Sequence, residues 1–445
     1  MDLIKKQYRS ETFISTSGLI LLAFTTAFYS RILDYLGAPS LINFFHFFAI
    51  FFTCVFTLIK SKTKNPKAIE AIRNLITGLF LFFTVIVLSA LLNKAGAINA
   101  LLDFVLLAEP FLLILTMLAL SLPKENFIKF RRWLTYFLFS HLFIAYAQKY
   151  IFRVDTWNTL YLEPSDRIQG VFFLSGAGHV VGASVSLTFG LYYLTSAQDK
   201  PLWLRITVAL AATWLVIVAD AKQVILAFMV AGVILFFLKF NNLKTFITYF
   251  LAGSTLGYAF WWCTQNLEAF RAYNTWSAPE LYGSDGDATR LKTAAFRVVT
   301  SHYESILHWF LGLGPGHTVG RLGGWMLHQY KSLLEPLGST THQASIEVWA
   351  QVGKYYIGSR SSLFSPLFGW AGIWGDLGLL GLASYLYLGW LVWHYLCLED
   401  ISKFLLLTVV VFGFIFSQME EPGYMLSIAA IIGLKWQESQ FLEKS

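Results

Sequence analysis

The sequence predicts an all-α polytopic membrane protein with about twelve spanning helices, and three observations lead to this fold class. Hydrophobic residues fill 56% of the 445 positions and charged residues only 13%, about half the share in ordinary soluble proteins. Apolar runs of roughly 20 residues, the length that crosses a bilayer as a helix, recur along the chain. Aromatic residues reach 17%, which is typical of lipid-facing surfaces and interfacial belts.

The apolar runs also define the expected domain organisation. The twelve expected spans are 12–32, 41–59, 74–93, 98–121, 133–152, 171–194, 202–219, 223–239, 244–263, 369–396, 402–418 and 422–436. We expect helices 1–9 within residues 1–263, a long polar loop at 264–368, and helices 10–12 with a tail at 369–445. Other connections are short, and an ordered loop of about 100 residues usually carries function.

Lysine and arginine residues are unequally distributed between the two ends of these runs. The side that holds the N-terminus has 19 of the 33, the short loops opposite have 6, and the long loop holds 8. Because basic residues of short loops stay in the cytoplasm, we expect both termini there and the long loop outside. The basic residues therefore sort by membrane side and do not form one patch for nucleic acid.

The long loop has two features that suggest order and chemistry. It contains five of the nine histidines: His302, His308, His317, His328 and His342. Apolar residues at helical spacing from Thr289 to Phe310 predict an amphipathic helix, and the glycines and proline of 312–316 end it.

Two basic residues lie at span edges on the expected outer side. Arg167 precedes the run 171–194, where it either anchors the helix at the interface or binds an anionic group. Lys222 follows Asp220 between two spans with almost no loop, where the two form a structural salt bridge or a functional site.

Two arginines of the long loop share one face of the expected helix. Arg290 and Arg297 are seven residues apart, which places them two turns from each other. The face is either solvated or a clamp for a diphosphate, since guanidinium groups bind phosphate oxygens in pairs.

Two histidines are alternatives for acid–base chemistry. His342 stands between Thr341 and Gln343, and an imidazole is suited to take a proton from a hydroxyl at neutral pH. His317, within the glycine-rich stretch, is its rival. The sequence has neither a P-loop nor HExxH, and the histidine spacing does not match zinc ligands, so we expect no metal and no cofactor.

Taken in order, these elements resemble the O-antigen ligase and O-antigen polymerase superfamily over about residues 160–400. Lys222 lies where the family has the arginine of a Ser-Arg-Gly turn. It therefore supplies a compact ammonium charge in place of the paired N–H donors of a guanidinium. The resemblance is carried by Arg167-x-x-Gly170-x-Phe172, Asp220-Ala-Lys222, Arg290 followed by Gly312-x-Gly314-x-Gly316, Thr341-His342-Gln343 and Gly375-Asp376-x-Gly378-x-x-Gly381.

The resemblance implies a GT-C-like glycosyltransferase of the bacterial inner membrane, with the long loop in the periplasm. It would join an undecaprenyl-diphosphate-linked glycan to an acceptor hydroxyl during lipopolysaccharide or other cell-surface polysaccharide synthesis, without a metal. A flippase or a chain-length regulator would be its protein partner, and ligase and polymerase activities both stay open. The expected site has His342 and Arg290 as catalytic residues and Arg167, Lys222, Arg297 and His317 as substrate-binding residues.

Two other classes of protein also stay open. A transporter of a small anion such as bicarbonate would have related halves with helices broken near mid-membrane. The sequence shows no similarity between halves, and its titratable residues are expected to gather outside the spans. A catalytically inert scaffold for envelope assembly is the second alternative.

Overall fold

The computed structural model describes residues 16–61, 63–120, 124–157, 162–174, 177–239 and 243–442, and regular structure within them is entirely helical. In chain order the helices are α1 (Thr16–Phe28), α2 (Ser30–Tyr35), α3 (Ile42–Ile59), α4 (Pro66–Leu92), α5 (Ala97–Ala119), α6 (Lys124–Tyr150), α7 (Gly178–Ser196), α8 (Leu202–Val218), α9 (Lys222–Leu238), α10 (Leu243–Asn266), α11 (Arg271–Trp276), α12 (Asp287–Ser301), α13 (Leu307–Leu311), α14 (Leu327–Gln329), α15 (Lys331–Leu334), α16 (Gln343–Val352), α17 (Tyr356–Arg360), α18 (Gly369–Tyr395), α19 (Asp400–Ile415) and α20 (Pro422–Leu442).

The all-helical fold is confirmed, and its apolar helices have the character of a membrane protein. Four helical segments are long and apolar enough to cross a bilayer: Ile42–Ile59, Pro66–Leu92, Ala97–Ala119 and Ser362–Tyr395. The remaining predicted spans also coincide with helices, three of which are apolar but shorter: Ser17–Phe28, Leu202–Val218 and Lys222–Leu238. The first predicted span starts at 12, and its residues 12–15 lie outside the described residues.

The helices form one bundle with α5 near its centre. α5 packs against α3, α4 and α20, while α18 packs against α4 and α19. Nearly all of α20 between Tyr424 and Trp436 is buried. Peripheral helices instead leave large apolar side chains such as Phe52, Phe80 and Leu251 more than half exposed. Apolar surface of this extent is unfavourable in water and fits contact with lipid.

The amphipathic helix predicted at 289–310 is divided in two by the structure. α12 ends at Ser301 and α13 begins at Leu307. The His308 ring explains the break, because its Nδ1 accepts the backbone N–H of Glu304 at 2.9 Å and of Ser305 at 3.3 Å. These bonds satisfy two backbone N–H groups of the turn before α13 and stabilise the connection between the two helices.

The glycine-rich stretch after α13 brings the long segment 264–368, named the outer segment after its expected side of the membrane, onto α18. Gly378 has φ 65° and interrupts the helical geometry of α18. A Cβ at Gly378 would overlap the backbone of Phe310 and Leu311, and a Cβ at Gly312 would overlap that of Asp376. Glycine is therefore required on both sides of this contact, which positions the residues of the site.

Candidate active site

A cavity of about 730 Å³ lies between the outer segment and the ends of the bundle helices, and its volume is in the range of ligand pockets. From the bundle, its wall includes Arg31, Asp166, His179, Asp220, Lys222 and Glu421. From the outer segment, its wall includes Trp276, Trp325, Gln329, Trp349, Tyr356 and Ser362. All of the bundle residues lie at helix ends that the lysine and arginine distribution predicts to be outside the cytoplasm.

Aromatic rings form much of this wall, and several are fixed by specific contacts. The Trp349 Nε1 donates a hydrogen bond to the Gly324 carbonyl. The Trp325 ring lies under the guanidinium of Arg321, whose central carbon is 4.7 Å from the ring centroid. Aromatic rings beside polar groups combine apolar surface with nearby hydrogen-bond partners, a combination that suits sugar rings.

Lys222 is the one predicted site residue in the described lining of the cavity. It begins α9 and forms an ion pair with Asp220, whose φ of 53° makes the tight turn. The Tyr273 hydroxyl donates to the Lys222 carbonyl at 2.6 Å, which ties α9 to the outer segment. The salt bridge considered from the sequence is therefore present, and the ammonium also faces the cavity.

Arg167 is buried and makes contacts that support a structural role. Its Nε donates to the Leu162 carbonyl at 2.8 Å, and its Nη1 donates to the carbonyls of Asp155 at 3.1 Å and Trp157 at 2.5 Å. The guanidinium thus holds the chain before α7 and is absent from the described cavity wall. Neither sequence interpretation, a snorkelling anchor or an anion ligand, anticipated these carbonyl contacts.

Replacing Arg167 by Gln is expected to destabilise the protein by about 2–4 kcal/mol, because buried carbonyls lose charge-assisted donors. The unfolding temperature of the purified protein in detergent should fall by several degrees. The exposed Arg297 provides the matched control, since Arg297→Gln should leave that temperature unchanged. If Arg167→Gln abolished activity with no change in unfolding temperature, the ligand role would be favoured instead.

Arg290 and Arg297 occupy one exposed face of α12, as their spacing predicts. Arg290 Nη2 is 2.6 Å from Asp285 Oδ1, and this hydrogen bond raises the pKa of Arg290. Arg297 Nη2 donates to the Arg290 carbonyl at 2.8 Å. Neither side chain belongs to the described cavity wall, so the contacts match the solvated-face interpretation.

The two rival histidines of the sequence are neighbours in space. The rings of His317 and His342 stack with centroids 5.6 Å apart, and His302 meets His342 edge-on at 5.1 Å. The His302 Nε2 lies 3.1 Å from an oxygen of Glu347. Burial, and then the nearby imidazole of His302, lower the pKa of His342 below its ordinary value.

Hydrogen bonds assign a tautomer to each ring. His317 Nδ1 must donate to the Leu313 carbonyl, 2.8 Å away, so its Nε2 accepts from the Thr340 hydroxyl at 2.8 Å. His342 Nδ1 accepts the Ala344 backbone N–H at 3.1 Å and caps α16, so its neutral ring carries the proton on Nε2. His317 is therefore fixed by both nitrogens, whereas His342 presents an N–H donor.

Two buried polar residues that sequence interpretation did not select hold this histidine cluster in place. Asp376 accepts the N–H of Gly316 at 2.9 Å and of Thr318 at 2.7 Å. Asn99 donates to the carbonyls of Pro315 and Thr340 at 3.0 and 2.9 Å. A buried Asp and Asn inside apolar runs were the available signal, because such groups are costly without partners.

The structure thus divides the six predicted site residues among four places. Lys222 lies at the cavity, His317 and His342 stack beside α16, Arg167 holds a loop, and Arg290 and Arg297 lie on α12. Arg167, Arg290 and Arg297, which were expected to bind one substrate, do not meet at one cavity in the described part of the chain. No protein-family model matches the chain, and no curated protein shows significant similarity to it.

Proposed function

We propose that this protein is an integral-membrane glycosyltransferase of the O-antigen ligase or polymerase type, which joins a polyprenyl-diphosphate-linked glycan to an acceptor hydroxyl. One observation carries the proposal: the cavity at the outer face combines tryptophan rings, polar side chains and cationic groups. A sugar attached to a diphosphate requires this combination, because its rings stack on aromatic faces and its phosphates need positive charge.

The proposal includes twelve spans, a GT-C-like arrangement and a bacterial inner-membrane location with both termini in the cytoplasm. The coincidence of a helix with each of the twelve apolar runs supports the count of spans, and four helical segments are long and apolar enough to cross a bilayer. The orientation is supported by the cavity, whose wall brings together helix ends from the side that is poor in lysine and arginine. A lipid-linked donor would reach this wall from the outer leaflet.

The proposed chemistry assigns separate roles to Lys222 and His342. The ammonium of Lys222 stabilises negative charge that develops on the diphosphate as the sugar leaves. As the acceptor oxygen bonds to the anomeric carbon, the bond from that carbon to the diphosphate oxygen breaks, and the hydroxyl proton passes to the departing diphosphate. The Nε2–H of His342, which lies outside the described cavity wall, donates to a substrate oxygen and orients the acceptor. Proton removal at His342 Nδ1 would require loss of the α16 cap, so the geometry favours orientation over general base catalysis. The diphosphate is itself an activated leaving group, so the reaction needs no metal.

A transporter of a small anion is the second candidate, and buried ionisable residues favour it. His46 Nδ1 lies 2.5 Å from a Glu109 oxygen, in hydrogen-bond contact between α3 and α5, and Asp103 is also buried in α5. Titratable groups therefore do not gather only outside the predicted spans, contrary to the sequence expectation. Such groups inside a helix bundle often mark ion pathways, and the break at Gly378 is a further feature of transporters.

Deletion of the gene from its host is expected to remove long-chain surface glycan, with the wild-type copy restoring it. Glycan gels provide the measurement: a lost polymerase leaves single repeat units on the acceptor, and a lost ligase leaves none. Uptake of labelled bicarbonate should stay normal. Normal glycan together with lost bicarbonate uptake would reject the enzyme and favour the transporter.

A further inference from the structure

Arg31 is a cation of the cavity wall that lies outside the predicted set of site residues. It is half-buried in α2, and its guanidinium carbon lies 5.5 Å from the centroid of the Trp325 ring. Its Nη1 donates to the Tyr330 hydroxyl at 2.9 Å. Among the described residues, Arg31 forms no ion pair with a carboxylate. Its charge is therefore held in place by neutral aromatic groups.

The carboxylates of the cavity wall already face other basic residues. Asp220 pairs with Lys222 and Glu421 pairs with Arg321, while an Asp166 oxygen lies 3.7 Å from the His179 ring. Arg31 is therefore a cation of the cavity wall without a carboxylate partner among the described residues. A guanidinium with exposed N–H groups and no internal counterion is a ready partner for a phosphate oxygen.

Arg321 adds a second guanidinium on the same tryptophan. Its carbon lies 4.7 Å from the Trp325 centroid, and the side chain is only 6% exposed. Its Nε has no hydrogen-bond partner among the described residues, although the backbone N–H donates to Glu420. Burial, and after it the charge of Arg31, lower the pKa of Arg321 to about 9. A negative ligand near Arg31 would relieve this repulsion.

A small inner cavity shows which side of Arg31 the ligand occupies. It has a volume of about 30 Å³ and is lined by Arg31, Arg321, Asn43, His46 and neighbouring residues. Arg31 and Glu421 line both this cavity and the large one. The inner volume suits water but not a phosphate, so the anion belongs in the large cavity with water behind it.

We infer that Arg31, supported by Arg321 across Trp325, forms an anion subsite at the inner end of the large cavity and binds a phosphate group of the ligand. The inference rests on the proposed function for the identity of that ligand, a lipid-linked diphosphate. Inorganic pyrophosphate presents the same phosphate oxygens to a guanidinium group. Arg31 thus takes the phosphate-binding role that was expected of Arg167.

Binding of pyrophosphate and of a short polyprenyl diphosphate to the full-length protein in nanodiscs tests this subsite. Arg31→Gln is expected to weaken both by tenfold or more, because a charge-assisted hydrogen bond contributes about 1.5–3 kcal/mol. Arg31→Lys keeps the positive charge but loses the paired N–H donors of the guanidinium, so it should give an intermediate loss of affinity. Lys331→Gln, which removes an exposed cation from the outer segment next to Tyr330, should bind like the wild type.

The outcomes separate the subsite from the proposed function. Arg31-dependent binding of either probe supports the subsite, and binding of the lipid probe alone identifies the lipid-linked source. The subsite is overturned if Arg31→Lys and Arg31→Gln both bind the probes with wild-type affinity. If Arg31→Gln does not fold, the affinity of Arg31→Lys alone decides the test. Normal glycan in the deletion strain rejects the glycosyltransferase but leaves Arg31-dependent binding as evidence for the subsite.

Discussion

Replacement of His342 by Asn is expected to lower glycan transfer by about 10²-fold while the protein stays folded in the membrane, the loss that a misplaced reacting group brings. The reason lies in the two ring nitrogens of His342. Nδ1 caps α16 by accepting the Ala344 N–H, and Nε2–H remains to act on the acceptor. Asparagine is a good N-cap, so this variant keeps the structural bond and loses the donor. Transfer from a purified lipid-linked donor provides the measurement.

His342→Ala serves as the comparison, because it removes both the cap and the donor. It should lose as much activity as His342→Asn and also destabilise the protein by about 1 kcal/mol. If His342→Asn were fully active and only His342→Ala were impaired, His342 would be a helix cap and no more. His317→Asn is not an equivalent control, since both His317 nitrogens hold the surrounding loop.

The pH dependence of the same reaction follows from the tautomer of His342. Protonation places a hydrogen on Nδ1, which then faces the Ala344 N–H, so the cap is lost in the charged form. Burial and His302 lower the pKa of His342, so this loss occurs below its ordinary value near 6.5. Transfer should therefore be constant through neutral pH and fall as the pH decreases through that lowered pKa. An acid limb that persists in His342→Asn would contradict this assignment.

Apolar patterning was sufficient to predict the helices of the bundle. Each predicted run coincides with a helix because helices are the hydrogen-bonded structures that an apolar chain can place in a bilayer. The edges differ more: α4 begins at Pro66, eight residues before its run, because Asn65 caps it with a hydrogen bond to the Lys67 N–H. Such capping is a local side-chain effect that hydropathy does not register.

The candidate site was less predictable, because its contacts join distant parts of the chain. His317 and His342 were treated as rivals, yet the turn after α13 and the start of α16 bring their rings together. Arg167 was selected for its charge, whereas its partners are backbone carbonyls that no motif reveals. Arg31 stood as a single basic residue at a span edge, and its position beside Trp325 depends on tertiary packing.

Asp376→Ala is expected to destabilise the protein by about 2–6 kcal/mol, because two buried backbone N–H groups lose their acceptor at about 1–3 kcal/mol each. The carboxylate is 3% exposed and accepts two backbone N–H groups, from Gly316 and Thr318. Removal leaves both amides buried without these acceptors. His317 lies between them in the chain, so the histidine cluster should be disturbed as well. Thermal unfolding in detergent provides the measurement, with the exposed Glu335→Gln as the control.

Asp376→Asn separates hydrogen bonding from charge at the same position. The amide retains one acceptor oxygen, so one of the two N–H groups keeps its bond and the loss of stability should be smaller than for alanine. The buried carboxylates of Asp103 and Glu420 lie within electrostatic range and oppose a charge on Asp376. If Asp376→Asn were more stable than the wild type, this repulsion would outweigh the amide bonds. The Asp376 carboxylate would then lower the stability of the protein. Its role would be to hold the turn that contains His317 in position for the site.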